Sequence, residues 1–144
     1  MKFLLDTMMG HLVTWLRLLG YDTVYLREAS DDELIEKSIA EERVVVTRDK
    51  TLAARLKKRG VKTVLVDTVE TVESLIKIGI ETGVELAFNP LKTRCPICNT
   101  LLEHVHESRE RWICRGCGKT YWIGGHWRNI RKVLEKVQGE AVGY

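Results

Sequence analysis

Two cysteine pairs, Cys95-Pro96-Ile97-Cys98 and Cys114-Arg115-Gly116-Cys117, constrain the fold more than any other feature of the chain. Their C-x2-C-x15-C-x2-C spacing lets two knuckle turns present four thiolates tetrahedrally to Zn²⁺. A shell filled by cysteine alone has no open position, so the spacing predicts a structural zinc ribbon rather than a catalytic metal. Gly116, Gly118 and Asn99 supply the permissive backbone that knuckles need. Thioredoxin-like redox chemistry is disfavoured, because the pairs come as two copies without the surrounding βαβ context. No apolar run approaches the ~18 residues of a membrane span, and Met1–Leu5 lacks the basic and long apolar regions of a signal peptide. The expectation is a cytoplasmic protein with reduced thiols.

The residues before the cysteines follow a different rule. Phe3-Leu4-Leu5, Thr23-Val24-Tyr25, Val44-Val45-Val46-Thr47 and Thr63-Val64-Leu65-Val66 read as short strands, and helical patterns separate them. The first helical pattern runs from Met8 to Leu19 and stops at Gly20. Ser30 with Glu33 forms a capping box for the second, which reaches about Glu41; Asp49 opens the third, and the fourth spans about Val69 to Thr82. Alternating strands and helices imply right-handed βαβ units, hence an α/β fold with a mostly parallel sheet sandwiched by helices. Asn89-Pro90 interrupts the pattern. We therefore expect one domain over residues 1–90, and the ribbon with a short basic helix over 91–144. That helix places Ile130, Val133, Leu134 and Val137 on one side, and a loose tail is expected from Gly139.

Charge divides along the same line. Residues 1–90 carry 13 Lys+Arg against 15 Asp+Glu, and residues 91–144 carry 10 against 5, giving −2 and +5. Four thiolates with one Zn²⁺ reduce the second value to about +3, still basic enough to favour a phosphate backbone. Trp112, Tyr121, Trp122 and Trp127 are candidates for base stacking, although a small ribbon needs some of these rings as its core. His104, His106 and His126 are spare imidazoles once thiolates fill the shell, and His126, in a glycine-bearing turn, is the one best placed to touch RNA.

In a parallel sheet the ligand crevice lies beyond the carboxyl ends of the strands. Asp6, Asp31 or Asp32, Asp49 and Asp67 follow the four predicted strands in turn. Carboxylates gathered there repel one another unless a hard divalent cation neutralises them, and Mg²⁺ or Mn²⁺ takes such ligands. Phosphodiester hydrolysis is the chemistry this arrangement suits. Asp6, Asp31 and Asp49 each precede or open a helix and are equally good N-caps, whereas Asp32 and Asp67 are also what a turn or strand end ordinarily carries. Arg17 and Arg48 are candidate phosphate contacts at the same edge, and His11 has no defined partner.

With these residues in hand, the chain resembles the bacterial and archaeal relatives of the mut-seven C-terminal ribonuclease domain, a PIN-like nuclease with a zinc ribbon. The resemblance covers nearly the whole chain. It is carried by Phe3-Leu4-Leu5-Asp6, Met9-Gly10, Trp15 to Asp22, Asp31 to Leu34, Thr47-Arg48-Asp49, Arg94-Cys95, Cys98-Asn99, Cys114, Cys117-Gly118, Tyr121-Trp122, Gly124 and His126. It implies a metal-dependent ribonuclease whose catalytic Mg²⁺ or Mn²⁺ is held by Asp6, Asp31 and Asp49, with Asp32 and Asp67 as alternates, and whose structural Zn²⁺ is held by Cys95, Cys98, Cys114 and Cys117. His11 and Thr14 depart from positions that are usually basic in that family. The alternative is a noncatalytic RNA-binding or adaptor module. A phosphatase of the haloacid-dehalogenase type is weak, because Asp6-Thr7-Met8 lacks the second aspartate two residues on.

Overall fold

The computed structural model describes residues 1–107 and 109–141. Four strands, β1 (Lys2–Leu5), β2 (Asp22–Tyr25), β3 (Val44–Thr47) and β4 (Thr63–Leu65), form one sheet in the order β2-β1-β3-β4, every neighbouring pair parallel. Each strand is only three or four residues long, so alternation along it decides which layer a side chain joins. Phe3 and Leu5, with Val44, Val46 and Val64, face helices α1 (Val13–Leu18) and α4 (Thr71–Thr82). Leu4 and Val45 face α2 (Asp31–Ala40) and α3 (Lys50–Lys58) through Leu34, Ile35, Leu52 and Leu56. β3 is buried along its whole length, as an unbroken β-branched run in a doubly covered sheet should be.

Between β1 and α1 the chain makes a 3₁₀ helix over Thr7–Leu12 with a kink at Met9, where a continuous α-helix was expected. The apolar spacing of Met9 and Leu12 is met by either helix type, and both side chains reach the core. A Cβ at Gly10 would stand 2.9 Å from the Tyr25 ring, so any larger residue at that position would require the ring to shift.

The second sheet is antiparallel: β5 (Glu103–His106), β6 (Glu110–Ile113) and β7 (Thr120–Trp122). Its core is Cys95, Leu102, Trp112 and Cys114, with Phe88 and Tyr121 packed against it. Helix α5 (Gly125–Ala141) follows. It is 17 residues long, not short, and it continues past Gly139, where a loose tail was expected; residues 142–144 lie outside the described residues. Leu134 and Val137 join the core on the α1/α4 side of the first sheet, with Ile130 and Val133 beside them. The predicted apolar stripe is therefore the stripe that is buried, and it carries α5 back onto the first layer.

The two halves are joined by polar contacts as well. Arg17 donates from Nη1 to Pro96 O at 2.8 Å and from Nε and Nη2 to Thr23 O. This corrects the expected placement of Arg17 at the ligand crevice: its guanidinium clasps the first cysteine knuckle against β2 instead. The helical pattern shows that Arg17 faces away from the core, but not toward which end of the sheet. Asn99, at φ 70°, accepts from Thr23 N at 3.1 Å and donates to Asp22 Oδ1 at 2.7 Å, while Arg43 donates to that same oxygen at 2.9 Å.

Candidate active site and metal centres

The strand order 2-1-3-4 reverses direction between β1 and β3, and the carboxyl ends of those two strands make the switch-point crevice of the sheet. Asp6 and Asp49 occupy it. Asp6 follows β1 and is 8% exposed. Its Oδ1 accepts from Met8 N at 3.1 Å, so it caps the 3₁₀ helix, and its Oδ2 accepts from the Thr47 hydroxyl. Thr47 Oγ1 in turn accepts from Asp49 N at 3.0 Å. Sequence reading named Thr47 in a motif but gave it no role, since it looks like one more β-branched strand residue; its signal is a lone hydroxyl ending an all-valine run beside Arg48-Asp49.

Asp49 caps α3, with Oδ1 accepting from Thr51 N at 2.9 Å and from Leu52 N at 3.0 Å. Asp31 opens α2 behind the Ser30 cap, whose hydroxyl accepts from Glu33 N as the capping box requires. Arg55 of α3 pairs with Asp31 at 3.7 Å and with Asp32 more closely. Arg55 was missed, since its partners lie on another element. Asp67 is exposed just beyond β4. Arg48 keeps its Nε buried without a hydrogen-bond partner among the described residues.

Burial pushes the Asp6 carboxyl above the usual aspartate range. The Thr47 hydroxyl and Met8 amide pull it down, and the charges of Asp49 and Asp31 push it up again, with a net upward shift. Among the described residues, however, these three acids do not form a group whose ligand atoms all lie within 4.8 Å of one another.

The four cysteines do form such a group. The Sγ atoms of Cys95 and Cys117 are 3.7 Å apart, and those of Cys98 and Cys114 are 3.3 Å apart. Two sulfurs each ~2.3 Å from a tetrahedral zinc lie roughly 3.8 Å from each other, so the set fits that ion. The knuckles repeat one geometry: Asn99 N donates to Cys95 O and Gly118 N to Cys114 O, both at 2.9 Å, with Asn99 and Gly118 at positive φ. The Thr100 hydroxyl and amide hold the Cys98 thiol down at about 6. Although the Lys119 amide lowers the Cys117 thiol, burial and its cysteine neighbours carry it up to about 11. Such a spread is what one expects of crowded thiolates that a divalent cation would neutralise together.

Beyond the knuckles, a cavity of about 190 Å³ opens between the ribbon, α1 and α5, lined by Arg94, Tyr121, Trp122, Trp127 and Ile130 among others. Trp112 is buried in the ribbon core, whereas Trp122 is half exposed beneath Arg109, whose guanidinium carbon lies 5.8 Å from the ring centre. The aromatic set thus divides between core and surface. His126 is exposed at the start of α5. No helix among the described residues is long and apolar enough to cross a membrane.

A parallel α/β layer with acids at its switch point, followed by an antiparallel ribbon with four clustered cysteines that could hold a metal, defines the class as an α/β protein with a ribbon appendage. The chain belongs to the Mut7-C RNAse domain family, whose model matches residues 1–134. The match therefore includes the sheet, the ribbon and most of α5. No curated protein and no solved structure matches it.

Proposed function

We propose that the protein is a PIN-like, Mg²⁺- or Mn²⁺-dependent ribonuclease of the cytoplasm, with residues 1–90 as its catalytic domain and residues 91–144 as a zinc ribbon and basic helix that hold RNA. The observation that carries this reading is the placement of Asp6, buried at the β1/β3 switch point and tied through the Thr47 hydroxyl to the Asp49 amide, in a chain that matches an RNAse-domain family. Burial there also raises its carboxyl. A site that resists ionising its own acid gains from a bound cation. Mg²⁺ keeps several of its waters and needs only one or two direct carboxylates, so it does not require three acids in mutual contact. Asp6, Asp49 and Asp31 are the residues that would hold the ion, Asp31 being paired with Arg55 at 3.7 Å. The chemistry such an ion supplies is water activation and neutralisation of the charge that builds on a phosphodiester. The chain's own contribution is orientation: Met8 N and the Thr47 hydroxyl fix the Asp6 carboxylate, leaving each oxygen a second lone pair. Exposed bases would stack on Trp122, and Arg128, Arg131, Lys132 and Lys136 would meet phosphates.

One observation favours the noncatalytic alternative: Asp6 and Asp49 are both satisfied as helix caps, and Asp31 as an ion-pair partner. Asparagine caps a helix about as well as aspartate but is a poor cation ligand, so it separates the readings. We expect Asp6→Asn and Asp49→Asn each to lower Mn²⁺-supported RNA cleavage by about 10²-fold or more while RNA binding persists. Cleavage that survives EDTA and both substitutions would sink the metal mechanism, and RNA binding with no cleavage in any divalent ion would favour the adaptor.

A further inference from the structure

We infer that the ribbon carries a second cation site, built from His104, His106 and Glu110, which takes a late first-row divalent ion of the Co²⁺-to-Zn²⁺ series. The ligand atoms of these three residues lie within 4.8 Å of one another. The hairpin register explains why. His106 stands directly opposite Glu110 and His104 opposite Trp112, and side chains two apart on a strand share a face, so all four project from one side of the β5–β6 pair. His104 Nε2 is 2.8 Å from Glu110 Oε1, and the two imidazole centres are 5.8 Å apart.

The site is held from beneath. The His104 ring stacks on Trp112 at 5.0 Å and 17°, and Trp112 is itself fixed in the ribbon core by its indole N–H, which donates to Pro90 O at 2.9 Å. It is open from above: the Glu110 side chain is 31% exposed and His106 is exposed. Donors each ~2.0–2.1 Å from a tetrahedral ion lie roughly 3.3 Å apart, so the His104–Glu110 contact needs to open by only about 0.5 Å.

The donor chemistry selects the ion. Two imidazoles and one carboxylate suit Zn²⁺, Ni²⁺ or Co²⁺, whereas Mg²⁺ and Ca²⁺ prefer oxygen alone. Three protein ligands leave at least one position for water or an anion, unlike the closed four-thiolate shell. Glu110 precedes Cys114 by four extended residues, roughly 13 Å along the strand, so the two centres share no ligand. This site is independent of the carboxylates at the β1/β3 crevice and of whether the chain cleaves RNA.

The test uses the full chain with zinc retained at its cysteines, titrated with Co²⁺ and followed by the imidazole NMR resonances of its four histidines. We expect an ion to bind without the charge-transfer band of a cobalt thiolate, shifting or broadening His104 and His106 while leaving His11 and His126 unchanged. His106→Ala and Glu110→Gln should each weaken that event by more than about tenfold, and Asp6→Asn should leave it intact. His104 and His106 resonances that do not respond to excess Co²⁺ would overturn the site, as would uptake unaltered in both ribbon variants. Uptake lost only in Asp6→Asn would do the same. Because the wild-type resonances are themselves diagnostic, the outcome does not depend on any variant folding.

Discussion

Thr47 is a small residue on which the crevice turns. Its hydroxyl donates to Asp6 and accepts from Asp49 N, so one buried oxygen ties together the ends of β1 and β3. Thr47→Val keeps the shape and the β-branch of its three valine neighbours but removes both bonds. The Asp49 amide then loses its partner, which costs about 1–3 kcal/mol, readable as a lower denaturation midpoint. The Asp6 carboxyl also loses the interaction that most opposes its rise, and so moves further upward. Since only ionised Asp6 serves a cation, the acid limb of a pH–activity profile should move to higher pH in Thr47→Val. An unmoved limb would show that Asp6 does not control it. Stability has the opposite sign from that of an ordinary salt-bridged acid. An aspartate raised above its unfolded value of 3.8 makes the metal-free fold lose stability as pH rises from that value through the folded one. Asp6→Asn should flatten this slope and raise the midpoint of the metal-free protein at pH 7, by about 2–4 °C for each kcal/mol relieved. A midpoint that fell would mean the carboxylate is worth more as a cap than it loses by burial.

At the scale of elements, the first knuckle is joined to β2 by the side chain of Asn99. It accepts from Thr23 N and donates to Asp22 Oδ1, and its positive φ is one that glycine also adopts freely. Asn99→Gly therefore preserves the turn and deletes the bridge. We expect a loss of about 1–2 kcal/mol in unfolding free energy with zinc stoichiometry unchanged, whereas loss of zinc would place the defect in the knuckle itself. This bridge and the Arg17 clasp were not legible in the sequence, and the reason is physical. Cysteine spacing carries a complete ligand set within one short segment, and the alternation of strands with helices carries the layer order, so the ribbon and the parallel sheet could be read locally. Arg17, Asn99 and Arg55 act on partners 79, 76 and 23 residues away, which no local pattern encodes. The kinked 3₁₀ turn escaped for a different reason, since Met9 and Leu12 satisfy either helical period. Asp6 and Asp49 follow β1 and β3 and cap the helices beyond them, and their role as ligands was not legible because an N-cap and a cation ligand ask for the same residue at the same position.

For the whole molecule, α5 decides whether the basic half is a tethered appendage or a fixed wall. Leu134 and Val137 bury in the same cluster as Leu75 and Ile78 of α4, so the helix is held to the first layer rather than left swinging from the ribbon. Its outer face then presents Arg128, Arg131, Lys132 and Lys136 to solvent at a fixed orientation. If that face holds RNA, binding releases counterions in proportion to the phosphates it neutralises, about 0.7 in the log–log salt slope per contact on a single strand. Replacing all four cations by glutamine should reduce the slope of log affinity against log salt by up to about 3 while leaving the fold intact, because none of the four is buried. Asp6→Asn, in contrast, should leave the slope unchanged and lower turnover by about 10²-fold or more. Equal slopes for the wild type and the four-site variant would move the RNA path off α5, leaving the cavity edged by Trp122 and Trp127 as the surface where bases dock by stacking with little dependence on salt.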